Sequence, residues 1–133
     1  MESDKKMVHR LTESEIQSRR TATEKVLIAL RQNPEWTQLI IGAVLYGSMA
    51  RGDANTGSDI DVAILIREGN HYHPLTSQQL KIHINKIQDE QACGELRINP
   101  LAVLEKDFNN PTDPRILNPD LLKKIKNEGI RIV

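Results

Sequence analysis

The chain has 133 residues and a mass of 15.1 kDa, which favours one compact domain over two. It carries 18 basic and 18 acidic side chains, and this balance argues against an extended nucleic-acid surface, which needs a clustered excess of cations. The longest apolar run, residues 39–46, is too short to cross a membrane, and the charged first ten residues do not resemble a signal peptide, so we expect a cytoplasmic protein without a membrane part.

The first predicted element is an amphipathic helix over residues 13–31. Thr12 and Glu15 have the spacing of a capping box, in which each side chain satisfies a backbone amide at the start of the helix. Apolar residues then recur at helical spacing up to Leu30. We expect a single domain in which residues 1–35 form an N-terminal helical segment and residues 36–133 form the core.

Two buried strands are predicted next, over residues 39–46 and 60–66. The second strand is apolar on both faces except at Asp61, a pattern typical of a central strand with neighbours on each side. Between the two strands, residues 47–57 are rich in turn formers. The polar residues of this connection and the exception at Asp61 therefore fall at the end of one strand and the start of the next.

The second half of the chain alternates helices and strands. The predicted elements are a helix over 77–91, a strand over 96–104, a turn of helix over 105–108, a helix over 121–127 and a strand over 130–133. Pro100 makes the strand over 96–104 an edge strand or a bulged one, and Asp120 is expected to cap the last helix. The fold class is therefore α/β (α+β), with a small mixed sheet flanked by helices.

The residues that could carry chemistry begin at the end of the first strand. If a short helix starts at Gly47-Ser48, its first amides and the Ser48 hydroxyl form an anion site, and the absence of a side chain at Gly47 lets a phosphate approach the backbone. Arg51 lies three residues beyond Ser48, on the same side of that turn. It can either pair with a carboxylate or help to hold a phosphate.

Two carboxylates follow at the start of the second strand. Asp59 and Asp61 are separated by one residue, so their side chains point to one face, with anchor points roughly 6.6 Å apart. This spacing suits one Mg²⁺ or a pair of ions about 3.5–4 Å apart, and such hard ions commonly bridge protein carboxylates to substrate phosphates. Together with Gly47 and Ser48, the two aspartates predict a metal–nucleotide site.

These residues carry a resemblance to a known family. Gly47-Ser48, then ten residues, then Asp59-Ile60-Asp61, with Arg51-Gly52 between them, looks like the signature of the DNA polymerase β-like nucleotidyltransferase superfamily. The short chain resembles its minimal nucleotidyltransferase branch, whose members often stand beside a HEPN-domain partner in toxin–antitoxin pairs. The signature covers residues 47–61, and the order of elements extends the likeness more loosely to about 20–133.

The resemblance implies a fold, a reaction and a set of roles. The fold would be that of the polymerase β-like nucleotidyltransferases, and a nucleoside monophosphate would pass from an NTP, with ATP expected, to a hydroxyl acceptor on a partner protein of HEPN type. Mg²⁺ or Mn²⁺ would be the cofactor, bound by Asp59 and Asp61, which would also be catalytic. The nucleotide-binding residues would be Gly47, Ser48, Arg51 and Ser58.

One feature of the family pattern is missing from its expected place. Active members carry a third carboxylate on a later strand, and here the inward positions of the matching strand are Glu95, Arg97 and Asn99. Asn99 is expected to take the catalytic position; its amide can ligate a metal but cannot accept a proton. Glu95 takes that position instead if the register shifts or the strand bulges at Pro100.

Three functions remain open at this point. The first is a nucleotidyltransferase that modifies a partner protein, and the second is a catalytically degenerate nucleotide- or partner-binding module of the same fold, which Asn99 favours. A small-molecule resistance-type transferase ranks lowest, because such enzymes usually carry a second acceptor-binding domain. A DNA-binding antitoxin is disfavoured by the zero net charge, and a homo-oligomer is left open.

Overall fold

A computed structural model of the chain describes residues 9–34, 36–67, 77–91, 96–111 and 118–133. The elements in chain order are α1 (Glu13–Arg31), β1 (Ile40–Tyr46), α2 (Ser48–Arg51), β2 (Ile60–Ile66), α3 (Ser77–Gln91), β3 (Ile98–Leu104), α4 (Glu105–Asn109), α5 (Pro119–Glu128) and β4 (Ile130–Arg131). The predicted α/β (α+β) class, with a small mixed sheet flanked by helices, is confirmed.

The four strands form one sheet in the order β3-β2-β1-β4. Strand β2 pairs in parallel with β3 and antiparallel with β1, and β1 pairs antiparallel with β4. β2 is therefore internal, as its double-sided apolar pattern predicted, and β3 lies at the edge, as Pro100 predicted. In this register Asp61 is opposite Tyr46 on one neighbouring strand and opposite Asn99 on the other.

Helices cover both faces of the sheet. Because β2 is apolar on both sides, each face has apolar side chains that these helices bury. Val62, Ile64 and Ile66 pack in one cluster with apolar residues of α1 and α3, and Ala63 and Leu65 pack in a second cluster with residues of α5. Complete burial of a large aliphatic side chain stabilises the fold by about 1.5–3 kcal/mol. Asp61 shares its face with Ala63 and Leu65, so it lies on the α5 side of the sheet.

The start of α1 agrees with the sequence pattern. The Thr12 amide donates to Glu15 Oε1 at 2.9 Å, and the Glu15 amide donates to Thr12 Oγ1 at 3.1 Å, which is the predicted capping box. The hydrogen bonds from Thr12 lower the pKa of the Glu15 carboxyl. Helix α3 also has the predicted bounds, whereas β1 begins one residue later than predicted and β3 begins two residues later.

The prediction for the last helix was wrong at its start. The cap is Asn118 rather than Asp120: the Asn118 side-chain oxygen accepts from the Leu121 amide at 3.3 Å. Pro119 then occupies the first turn, where the missing N–H of proline is tolerated, and Asp120 adds a favourable negative charge to that turn. The helix ends one residue later than predicted, so Glu128 is its last residue.

The outer edge of β3 has few backbone donors. Pro100 has no N–H, and the outward amide of Ala102 donates to Ser77 Oγ at 2.9 Å. Proline removes one backbone N–H and Ser77 satisfies another, so neither can pair with a further strand. In the part of the chain that the structure describes, no helix is long and apolar enough to span a membrane.

Candidate functional site

The site lies where β1 ends and β2 begins, at a sharp turn of the backbone. Gly47 has φ +75° and ψ −156°, a combination open essentially to glycine alone. A Cβ atom at this position would lie 2.7 Å from Asp61 Oδ2, which is closer than carbon and oxygen can pack. The carboxylate of Asp61 therefore sits against bare backbone at the turn; the backbone conformation calls for glycine, and any other residue would also displace this carboxylate.

Asn99 lies beside the same carboxylate. It is opposite Asp61 in the parallel register of β2 and β3, and its Nδ2 donates to Asp61 Oδ1 at 3.2 Å. The two Asp61 oxygens thus have different surroundings: Oδ1 accepts from an amide, and Oδ2 faces the glycine backbone. The third carboxylate of the family pattern has no counterpart in β3 at the position opposite Asp61.

Asp59 makes a different contact one residue before β2. Its Oδ1 is 3.6 Å from Arg97 Nε, and Arg97 also donates to the Gly57 carbonyl oxygen. Arg97 and Asn99 are two residues apart, so their contacts place Asp59 and Asp61 on one side of the sheet. More than half of the Asp59 and Arg97 side chains is exposed, so this pair is weak and leaves Asp59 open to other ligands.

The oxygen donors of the site fit a hard divalent cation. Mg²⁺ is usually held by one or two carboxylates together with substrate phosphates and water, and Asp59 and Asp61 supply two carboxylates on one side of the sheet. Within the described ranges, no group of three histidine, cysteine, aspartate or glutamate side chains could hold a metal ion. Glu95, the alternative third carboxylate, falls outside the described residues.

The predicted nucleotide-binding residues differ in how far they are already engaged. The half-buried Ser48 makes no side-chain hydrogen bond with any described residue, so its hydroxyl is available to a ligand. The Ser58 hydroxyl accepts from the Asn55 amide at 3.0 Å and shapes the loop before β2. Arg51 pairs with carboxylates, with Nε 3.2 Å from Asp53 and NH1 3.1 Å from Glu128. The hydrogen bond to Asp53 raises the pKa of Arg51.

Two residues around the turn have no signal in the local sequence pattern. Glu128 Oε1 accepts from the Gly47 amide at 3.2 Å as well as from Arg51, although it lies 81 residues further along the chain. From the other side, Arg20 of α1 donates through NH2 to Met49 O at 2.6 Å and to Ala50 O at 3.3 Å. Only the folded chain brings these groups to α2, so residue spacing could not have indicated them.

Tyr46 adds no charge to the site. Its ring packs in the apolar cluster under α5, and burial together with the nearby Asp61 charge raises the pKa of its phenol to about 12. The phenol is therefore neutral over the whole physiological range. The negative charge beside Gly47 comes from carboxylates alone.

A pair of glycine substitutions separates the two reasons for glycine at the turn. Gly52 has φ +88°, but a Cβ atom added there would have nothing within 4 Å, so Gly52→Ala should cost only the left-handed strain of about 1–2 kcal/mol. Gly47→Ala should lower the free energy of unfolding by about 1–3 kcal/mol through backbone strain, and it should also displace the Asp61 carboxylate. Urea unfolding of both variants measures the two costs, and a smaller cost for Gly47→Ala than for Gly52→Ala would contradict the contact between Gly47 and Asp61.

Comparison with known proteins adds a family and a fold. A family described as nucleotidyltransferase domain matches residues 24–132. A solved structure from Sulfolobus solfataricus, of a protein provisionally described as a nucleotidyltransferase, is 13% identical, with a TM-score of 0.52 over 91% of this chain and 87% of that chain. At that identity the likeness concerns the fold alone. The search of curated proteins gave no match.

Proposed function

Because the chain belongs to the nucleotidyltransferase domain family, we propose that it transfers a nucleoside monophosphate from an NTP to a hydroxyl acceptor. The acceptor oxygen forms a bond to the α-phosphorus, the bond from that phosphorus to the β-phosphate oxygen breaks, and pyrophosphate leaves with its electron pair. The hydroxyl proton passes to the solvent or to a base. Such a reaction depends mainly on positioning and on neutralisation of phosphate charge.

The observation that carries the proposal is the placement of Asp61 against the Gly47 turn. The Ser48 hydroxyl, which follows Gly47 directly, is available to a phosphate tail, and the Asp61 carboxylate beside Gly47 can hold the counterion. Neither element alone is unusual, since glycine turns and aspartates at strand starts are common. What supports the proposal is that a hydrogen-bonding group for phosphate, the Ser48 hydroxyl, and an oxygen ligand for a cation, the Asp61 carboxylate, belong to one turn.

The cation in this proposal is Mg²⁺ or Mn²⁺, held by Asp59 and Asp61. When bound, the ion neutralises charge on the triphosphate and makes the α-phosphorus a better electrophile. The chain's own groups do the rest: the Asn99 amide aligns Asp61, and the absence of a side chain at Gly47 lets the Asp61 carboxylate lie against the turn. Asp59 lies on the same side of the sheet, and its exposed, weak contact with Arg97 leaves it free to bind the cation.

A catalytically degenerate binding module is the second candidate, and a specific contact favours it. The group beside Asp61 is the amide of Asn99, which donates a hydrogen bond and cannot remove a proton from an acceptor. Transfer without a general base would be slow. The degenerate protein would bind nucleotide or partner through the same residues and act by occupancy.

For the acceptor we propose a hydroxyl group on a partner protein. The family match occupies residues 24–132, and the resemblance to the minimal nucleotidyltransferase branch favours an acceptor supplied by another protein. The partner class that the resemblance implies is a HEPN-type protein. Incubation with α-³²P-ATP and such a partner should move label onto the partner, and treatment with phosphodiesterase should release it as AMP.

Nucleotide binding is expected to depend on the divalent cation. Without a cation, the carboxylates of Asp59 and Asp61 repel the triphosphate; with one, the sign of the local field reverses. Isothermal titration of ATP and GTP should show affinity at least about fivefold higher in Mg²⁺ than in EDTA, since one opposed charge pair contributes about 1 kcal/mol or more. Equal affinity in EDTA would count against a metal–nucleotide site.

A further inference from the structure

Glu128 holds the turn that carries the nucleotide-binding residues, although it belongs to another part of the chain. Its Oε1 accepts from the Gly47 amide at 3.2 Å and from Arg51 NH1 at 3.1 Å, so one carboxylate oxygen joins the first and last parts of the α2 turn. About 23% of the Glu128 side chain is exposed, against 44% for Asp53, the other partner of Arg51. The Glu128 contact is therefore the better shielded of the two.

The chain reaches this position because of a close packing contact at the next residue. Gly129 follows Glu128 directly, and a Cβ atom there would overlap the Ile125 carbonyl and the Val44 side chain. The end of α5 can thus lie directly on β1, and β4 begins at once and pairs with Val44 and Leu45. This packing sets the backbone of Glu128 against β1, within reach of the turn at Gly47.

We infer that Glu128 is a positioning residue for the nucleotide: it fixes the Gly47 peptide and the Arg51 side chain, and Arg51 serves as its structural partner rather than as a phosphate ligand. This inference rests on the proposed function. Glu128 engages the Gly47 amide and one N–H group of Arg51, and Asp53 engages a second N–H group of Arg51, before any ligand binds. What the anchored turn offers to a phosphate is the Ser48 hydroxyl, with the Asp61 carboxylate beside Gly47 as a ligand for the cation.

If Glu128 instead blocks the nucleotide site, the opposite change in nucleotide affinity is expected when it is removed. If Glu128 merely occupied donors that belong to the phosphates, its removal would free the Gly47 amide and Arg51, and nucleotide affinity would rise. If it positions the turn, its removal loosens the turn and affinity falls. The turn itself should survive the change, because Arg20 holds the carbonyl groups of Met49 and Ala50 independently.

The test begins with a measurement that does not need activity. Amide hydrogen exchange of Gly47, followed by NMR on the full chain, should be about tenfold or more faster in Glu128→Ala than in wild type, since a hydrogen bond to a charged group is lost. Glu128→Gln keeps an oxygen acceptor and should restore most of the protection. Asn127→Ala, an exposed neighbour on α5, is the control and should leave the exchange unchanged.

The second measurement is a double-mutant cycle of Glu128 and Arg51, in which KM for ATP and kcat are determined in the presence of Mg²⁺. Glu128→Ala and Arg51→Ala should each raise KM about tenfold with little change in kcat, because the turn binds ground state and transition state alike. The double variant should be no worse than either single variant, and Glu128→Gln should recover most of the affinity. Tighter binding by Glu128→Ala, or additive losses in the double variant, would overturn the inference.

Failure of the proposed function can be told apart from failure of this inference. If wild type binds no nucleotide but Gly47 exchange still depends on Glu128, the anchoring is upheld and the proposed function fails. If wild type binds nucleotide and Gly47 exchange is the same in Glu128→Ala, the proposed function stands and the inference is wrong.

Discussion

Replacing Asp61 with asparagine is expected to lower the rate of nucleotidyl transfer by about 10³-fold or more, since a metal ligand supplies several kcal/mol of charge stabilisation. Asp61 is the carboxylate that touches the turn, and the substitution keeps its shape while removing its charge. The fold should be unaffected, because an asparagine oxygen can still accept from Asn99. Transfer from α-³²P-ATP, measured at saturating Mg²⁺, gives the rate.

The matched control for this prediction is Asp89→Asn. Asp89 is an exposed carboxylate on α3, so the variant makes the same chemical change away from the site. It should retain wild-type transfer and wild-type thermal stability. A fully active Asp61→Asn variant would show that the reaction, if present, takes place elsewhere on the molecule.

Introducing a carboxylate at position 99 is expected to raise the rate of nucleotidyl transfer by a factor comparable to the loss in Asp61→Asn. Asn99→Asp places a base next to Asp61, at the position that the resemblance assigns to the third carboxylate, and general-base assistance typically contributes about 10²–10⁴-fold. The rate of transfer should rise by that order while the affinity for ATP changes much less. Single-turnover assays with Mg²⁺ separate the two quantities.

The same variant also has a predictable cost. Without a cation, two carboxylates at hydrogen-bonding distance repel, so Asn99→Asp should be less stable than wild type in EDTA and should regain stability with Mg²⁺. A fast wild-type enzyme that Asn99→Asp does not improve and that Glu95→Gln abolishes would assign the third position to Glu95. No transfer by wild type or variant would favour the degenerate binding module.

The parts of the fold that could be predicted from the sequence depend on local patterns. The β2 strand is apolar on both faces, and its central place in the sheet follows from that alone. The i, i+2 spacing of Asp59 and Asp61 likewise places both side chains on one side of the sheet. The connection between β1 and β2, residues 47–59, is short, which is consistent with their pairing as neighbours. Each of these features is set by residues close together in the chain.

The features that sequence reasoning missed depend on contacts between distant segments. Arg20 reaches the Met49 carbonyl across 29 positions, and Glu128 reaches Gly47 across 81. Neither residue belongs to a motif. Arg20 has the pattern of a charged helix face, and Glu128 has that of a helix end. The cap of α5 was missed for a local reason, since Asn118 and Asp120 are both good capping residues and the proline between them decides which one is used.

The edges of the sheet limit how two copies of this protein could meet. Growth of a sheet from one molecule to the next requires a row of free backbone donors and acceptors, and the outer edge of β3 has lost two donors, one to Pro100 and one to the hydroxyl of Ser77. At the opposite edge, β4 is only two residues long, and Arg131 covers the Ile41 carbonyl. A homo-oligomer is therefore expected to assemble through helix surfaces, and the folded protein should resist fibrillar aggregation by strand addition.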